Sequence, residues 1–128
     1  MKLRQLRLVT DDVPALSRFY QQITGGTAAG SDRYVEFENA ISNLAIASQS
    51  IMERYGASAT VPRSNRSAIL DFEVADVDRE RERLSAYIAK FVMEPTDQPW
   101  GARSLLFRDP DDNLINFFTQ VSERPPLS

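Results

Sequence analysis

The chain has 128 residues, 42% of them hydrophobic, with no cysteine, no histidine and a formal net charge of −3. That size and apolar content suffice for one core without disulfides, and the acidic balance disfavours a general nucleic-acid binder, which needs a net basic face to displace phosphate counterions. Cysteine nucleophiles and histidine-dependent triads are excluded, and no apolar run reaches the roughly 18 residues that span a bilayer, so the expectation is a cytoplasmic protein with neither nucleic acid nor membrane as partner.

Residues 3–10 alternate as a half-buried strand, with Leu6 and Leu8 assigned to a helix-packed face and Leu3, Gln5, Arg7 and Val9 to the opposite one. Asp12 then offers an N-cap, Pro14 is tolerated in the first turn, and Leu16, Phe19, Tyr20 and Ile23 recur at helical spacing. Gly25-Gly26 ends this helix. Three short strands are predicted next, at about 27–30, 33–38 and 42–48, the last after an Asn39-Ala40 turn. Tyr34 and Phe37 have opposite parity on the middle strand, so only one of them shares a face with Arg7. The polar stretch 49–67, with Gly56 and Pro62, reads as a connector holding one helical turn near 51–55 and a sparse, solvated set of arginines.

Leu6, Leu8, Asp12 and Val13 then return as Leu70, Phe72, Asp76 and Val77, each 64 positions later (70 minus 6). In both places an alternating strand runs into a capped helix, the signature of a repeated supersecondary unit. Residues 68–74 are the second such strand, Asp76 the second cap, and Leu84, Tyr87, Ile88 and Phe91 the second apolar stripe. Strands near 90–95, 102–108 and 114–120 complete the unit, the last two joined by the Asp109–Asn113 turn. Each half is βαβββ, and such a unit exposes one apolar sheet face that must be covered.

The tract Pro99-Trp100-Gly101-Ala102-Arg103, followed by Asp109-Pro110-Asp111-Asp112-Asn113 and Leu114-Ile115-Asn116-Phe117, resembles the closing hairpin of the vicinal-oxygen-chelate superfamily. That superfamily contains glyoxalase I, extradiol dioxygenases, fosfomycin-resistance enzymes and bleomycin-resistance proteins. The resemblance covers residues 3 to 120 and implies an α+β fold in which two βαβββ modules form an eight-stranded curved sheet, or cup, with helices outside. It implies one domain over 1–128, with module one at about 3–48, a connector at 49–67, module two at about 68–120 and a tail at 121–128, and it implies a homodimer. The family's three metal ligands fall on Gln5, Ile69 and Asn116, which are two carboxamides and an alkyl chain. Carboxamide oxygens are poor anchors for zinc, nickel or iron, so neither a metal nor another cofactor is expected, and no catalytic residue is assigned. Asp112 stands where the family usually has glycine.

Strand parity turns Ile69, Asp71 and Glu73 inward on the fifth strand and Leu114, Asn116 and Phe118 inward on the last. The expected ligand-binding residues are therefore Gln5, Arg7, Ile69, Asp71, Glu73, Asn116 and Phe118, with Trp100 and Arg103 in the tract that carries the resemblance as stacking and polar candidates that have an equally good structural reading. Carboxylates beside aromatics suit a small cationic or aromatic guest. The leading expectation is a metal-free small-molecule-binding protein similar to the bleomycin-resistance branch, sequestering an antibiotic or metabolite. The alternatives are a glyoxalase- or dioxygenase-like lyase or isomerase with a non-standard carboxylate site, and an interaction domain whose cup binds nothing.

Overall fold

Alternation at the start of the chain produces β1 (Leu6–Thr10), followed by α1 (Val13–Thr24), β2 (Thr27–Gly30), β3 (Tyr34–Glu38) and β4 (Leu44–Ser48). A short helix α2 (Gln49–Met52) and a 3-10 turn (Glu53–Tyr55) follow directly on β4, where the connector was expected to turn once. The computed structural model describes residues 1–123, so Pro125-Pro126 of the tail lies outside the described residues. The chain forms two compact units that divide between Asn65 and Arg66.

In the first unit the sheet order is β1-β4-β3-β2, with β1 parallel to β4 and the other pairs antiparallel. The helix begins where expected because Asp12 accepts a hydrogen bond from the Ala15 amide at 3.1 Å, satisfying one of the free donors of the first turn. It ends at Gly25, which takes φ 74° and donates its amide to Gln21, a left-handed cap that costs glycine nothing. Val13, Leu16, Tyr20 and Ile23 are buried against β2, β3 and β4, and Tyr20 meets Phe37 edge to face at 6.4 Å.

Two expectations for β1 need correction. The strand starts at Leu6, not residue 3, and Leu6 is 48% exposed although it shares parity with buried Leu8. The cause is topological: β1 is the sheet edge, and α1 lies chiefly over the other three strands, so the helix cover does not extend to Leu6.

The second unit repeats the plan with β5 (Ile69–Glu73), α3 (Val77–Leu84), β6 (Met93–Asp97), β7 (Ala102–Arg108) and β8 (Leu114–Gln120), in the order β5-β8-β7-β6. Asp76 caps α3 by accepting from the amides of Asp78 and Arg79. Val13 and Val77, matched in sequence, are 2% and 1% exposed at the same place in each unit. Both halves are α+β, the class expected, with the eight strands in two open four-stranded sheets.

The helix is shorter than its apolar stripe. It stops at Leu84, where the Ser85 hydroxyl donates back to the Glu82 carbonyl at 2.6 Å and competes with the backbone ladder. Leu84 and Ile88 still enter the core, but Tyr87 is exposed. Phe91 instead packs edge to face on Phe107 at 6.1 Å and lies 3.9 Å beneath the Arg81 guanidinium. β6 is displaced toward residue 97 and carries a register shift between Met93 and Thr96, where Pro95 has no amide to give to the ladder.

The β7–β8 turn explains the Asp-Pro-Asp-x-Asn tract. Asp109 is 4% exposed, and one carboxylate oxygen accepts from the amides of Asp111 (2.8 Å) and Asn113 (2.9 Å) while the other accepts from Asn113 Nδ2 (2.8 Å). Asp112 takes φ 66° in the glycine-favoured region, which aspartate tolerates better than most residues, and Arg108 donates to its carbonyl at 3.0 Å.

Candidate functional site

Each sheet has one face covered by its helix and one face without it, and the residues expected to bind a guest fall mainly on the second kind. In the first unit the register aligns Arg7, Ala45 and Glu36 in one row and Val9, Ala47 and Tyr34 in the next. Arg7 donates from Nη1 to the Tyr55 hydroxyl at 3.1 Å and to Met52 Sδ at 3.3 Å. Its guanidinium carbon lies 6.0 Å from the Tyr34 ring centre and 5.8 Å from that of Tyr55, within cation–π range of both. Tyr34 donates to Glu36 at 2.6 Å and accepts from Gln5 Nε2 at 3.3 Å.

These contacts set the local charge states. The Glu36 carboxylate accepts the Tyr34 proton and so favours the neutral phenol, raising its pKa above the ordinary value, with burial acting in the same direction. The hydrogen bond to Tyr55 raises Arg7, which stays cationic. Parity resolves the aromatic pair on β3: Tyr34 stands with Arg7, and Phe37 is buried beneath α1. Tyr55 and Met52 were not anticipated as neighbours of Arg7. Their signal was Ser48, whose side chain caps α2 by accepting from Ile51 at 3.3 Å and turns the chain immediately after β4.

In the second unit one row holds Asp71, Asn116 and Leu106, and the next holds Glu73, Phe118 and Ser104. Ile69 and Leu114 are paired above them, with Ile69 54% exposed. Asn116 Nδ2 donates to Asp71 at 3.0 Å. Its Oδ1 is buried and accepts no hydrogen bond, a condition that costs about 1–3 kcal/mol when no partner arrives. A covered, unpartnered carbonyl and an exposed carboxylate thus lie side by side on this sheet face.

Trp100 and Arg103 are placed differently. Trp100 is 55% exposed in the loop between β6 and β7. Gly101 beside it has φ 91° and accepts at its carbonyl from the amides of Val121 and Ser122, and a Cβ there would meet Ser122 Oγ at 2.9 Å. Glycine is required at this close approach. Arg103 has the opposite parity to Ser104, and its guanidinium is held by Asp78 at 2.9 Å and Asp97 at 3.2 Å. This fork fastens β7 to the first turn of α3 and to the end of β6, and it holds the Asp78 carboxyl below the usual carboxylate range.

The residues at the family's metal positions do not fit a divalent ion. Ile69 has no donor atom, and Gln5, whose Nε2 donates to Tyr34, and Asn116 supply only neutral carboxamide oxygens. Among the described residues no three His, Cys, Asp or Glu side chains converge. Among the described residues, too, no helix is long and apolar enough to cross a membrane.

Residues 2–117 match the Glyoxalase/Bleomycin resistance protein/Dioxygenase superfamily. The uncharacterized protein YraH of Bacillus subtilis (strain 168) is 30% identical over 128 residues, covering 94% of this chain and 100% of that protein. A glyoxalase/bleomycin resistance protein/dioxygenase from Nocardioides superposes with a TM-score of 0.80 at 27% identity, covering 100% of this chain and 89% of that one. A family enzyme from Burkholderia phytofirmans PsJN has the same fold, with a TM-score of 0.81 at 18% identity over 94% of this chain and 100% of its own. With the repeated βαβββ units and the closing hairpin, these matches make the chain a member of the glyoxalase/bleomycin resistance protein/dioxygenase superfamily.

Proposed function

We propose that the chain is a metal-free small-molecule-binding protein, acting in the cytoplasm as a homodimer, that sequesters a metabolite or antibiotic carrying a cationic or N–H donor group beside an aromatic one. The observation that carries this reading is the Asn116 carboxamide: it replaces the family's metal-binding glutamate, it is fixed by Asp71, and its carbonyl is buried without a donor. A guest N–H or ammonium that displaced the groups covering that oxygen would satisfy it and the adjacent Asp71 together, gaining one neutral and one charge-assisted hydrogen bond.

Glu73 adds negative charge in the neighbouring row, and Phe118 and Ile69 supply apolar contact area. On the first unit, taken by itself, Gln5 and Arg7 are the candidate binding residues. Trp100 is free to stack on a planar group, while Arg103 holds the strand beneath it.

The test has two parts. Untagged protein purified without chelators should carry no stoichiometric metal by elemental mass spectrometry. Titration with benzylammonium and related aromatic amines should then shift the Asn116 side-chain amide resonances, and Asn116→Leu should weaken binding by about tenfold, the loss of roughly one hydrogen bond to a charged donor. A stoichiometric metal, or turnover that disappears in Glu73→Gln or Asp71→Asn while the fold survives, would replace this reading with the non-standard carboxylate enzyme. A single monomeric species in sedimentation equilibrium would remove the dimer.

A further inference from the structure

We propose that the face of the first sheet that carries Arg7 holds a carboxylate-recognition site built on that residue. The inference rests on the small-molecule reading above and adds a recognition chemistry that belongs to the first unit alone.

The argument begins with how the Arg7 donors are spent. Both of its hydrogen bonds leave from Nη1, to Tyr55 and to Met52. Nε and Nη2 have no hydrogen-bond partner among the described residues, and no carboxylate lies within ion-pair distance. Arg63, Arg81, Arg83 and Arg103 are each paired with an acid at 3.2 Å or less, whereas Arg7 is held by a phenol, a thioether and two aromatic rings. The nearest acid by electrostatic influence is Glu36, and the Tyr34 hydroxyl holds one of its oxygens instead.

A guanidinium presents Nε and Nη2 as two nearly parallel donors along one edge, and that edge matches the two oxygens of a carboxylate. Here the opposite corner is tethered by Tyr55 and Met52, and the Tyr34 and Tyr55 rings lie within 6.0 Å of the guanidinium carbon. The donor edge is therefore oriented before a ligand arrives, which lowers the entropy lost on binding. Ala45 and Ala47, in the same rows as Arg7 and Tyr34, are fully buried, so a guest would meet the guanidinium edge and the tyrosine rings and not the strand beneath them. A small organic carboxylate with a planar body suits these features: its oxygens meet the Arg7 edge and its body lies along the tyrosine rings.

The experiment follows the Arg7 Nε–H resonance of the full-length, 15N-labelled protein during titration with benzoate, phenylacetate and hippurate. Benzamide and sodium chloride at matched ionic strength serve as comparisons. At least one carboxylate should shift the Arg7 resonance downfield saturably, with benzamide and chloride leaving it in place. Arg7→Lys, which keeps the charge but loses the fork, should weaken that binding at least tenfold, and Tyr55→Phe should weaken it severalfold with an otherwise unchanged amide spectrum.

The site is overturned if no carboxylate gives a saturable shift, if chloride gives the same shift, or if Arg7→Lys binds as well as the parent. Loss of the carboxylate response while benzylammonium still moves the Asn116 amide would overturn this site alone. Failure of both probes would overturn the small-molecule reading with it.

Discussion

Asp109→Ala is expected to destabilise the protein by about 4 kcal/mol through the β7–β8 turn. The wild-type carboxylate accepts three hydrogen bonds at 2.8–2.9 Å, two of them from Asn113, which is itself only 7% exposed. Alanine removes the hydrogen bonds that the Asn113 amide and carboxamide make to this carboxylate, and about 2 kcal/mol for each buried bond lost gives the estimate. Against a typical domain stability of about 5–15 kcal/mol this is a large fraction. With a urea slope of about 2 kcal/mol/M, the midpoint should fall by about 2 M at unchanged slope, followed by circular dichroism and Trp100 fluorescence.

Asp109→Asn supplies the internal control. Its remaining carbonyl can still accept the two backbone amides, and the Asn113 carboxamide can turn over to face the new NH2, so the loss should be about half as large. A loss below about 1 kcal/mol in Asp109→Ala would refute the claim that this aspartate holds the turn, as would equal losses in both variants.

Two further outcomes concern ionisation. In Arg103→Gln the Asp78 carboxyl should titrate higher, toward its ordinary 3.8, because the Arg103 hydrogen bond is the chief cause of its depression. A depressed folded value means the pair contributes above about pH 3.8 and loses its contribution as pH falls through the lower folded value, so the stabilities of the two proteins should converge in acid. Identical Asp78 titrations by carboxyl carbon NMR would refute the assignment. In Glu36→Gln the Tyr34 phenol should ionise closer to 10.0, read from the absorbance of tyrosinate. The folded value in the parent lies above the ordinary one, so this contribution is full below pH 10 and is lost as pH rises through the folded value; an unmoved Tyr34 titration would show that Glu36 does not set it.

Short-range chemistry was legible in the chain itself. Asp12 and Asp76 cap their helices, Gly25 ends the first, and Asp109 with Asn113 closes the last hairpin, because each acts on backbone groups within a few residues of its own position. Period-two alternation likewise divided Asp71, Asn116 and Phe118 from Leu70, Ile115 and Phe117, and the 64-residue repeat pointed to two βαβββ units.

Tertiary structure decided what depends on distant partners. Leu6 has the parity of a core residue but sits on an edge strand beyond the helix cover, and Phe91 follows Phe107 and Arg81 out of its helical stripe. Arg103 is drawn to Asp78 across 25 positions, and Arg7 to Tyr55 across 48. No local pattern encodes such pairings, because a side chain finds its partner only after the backbone has brought remote segments within a few ångströms, and the hydrogen bonds that define the two sheet faces exist only then.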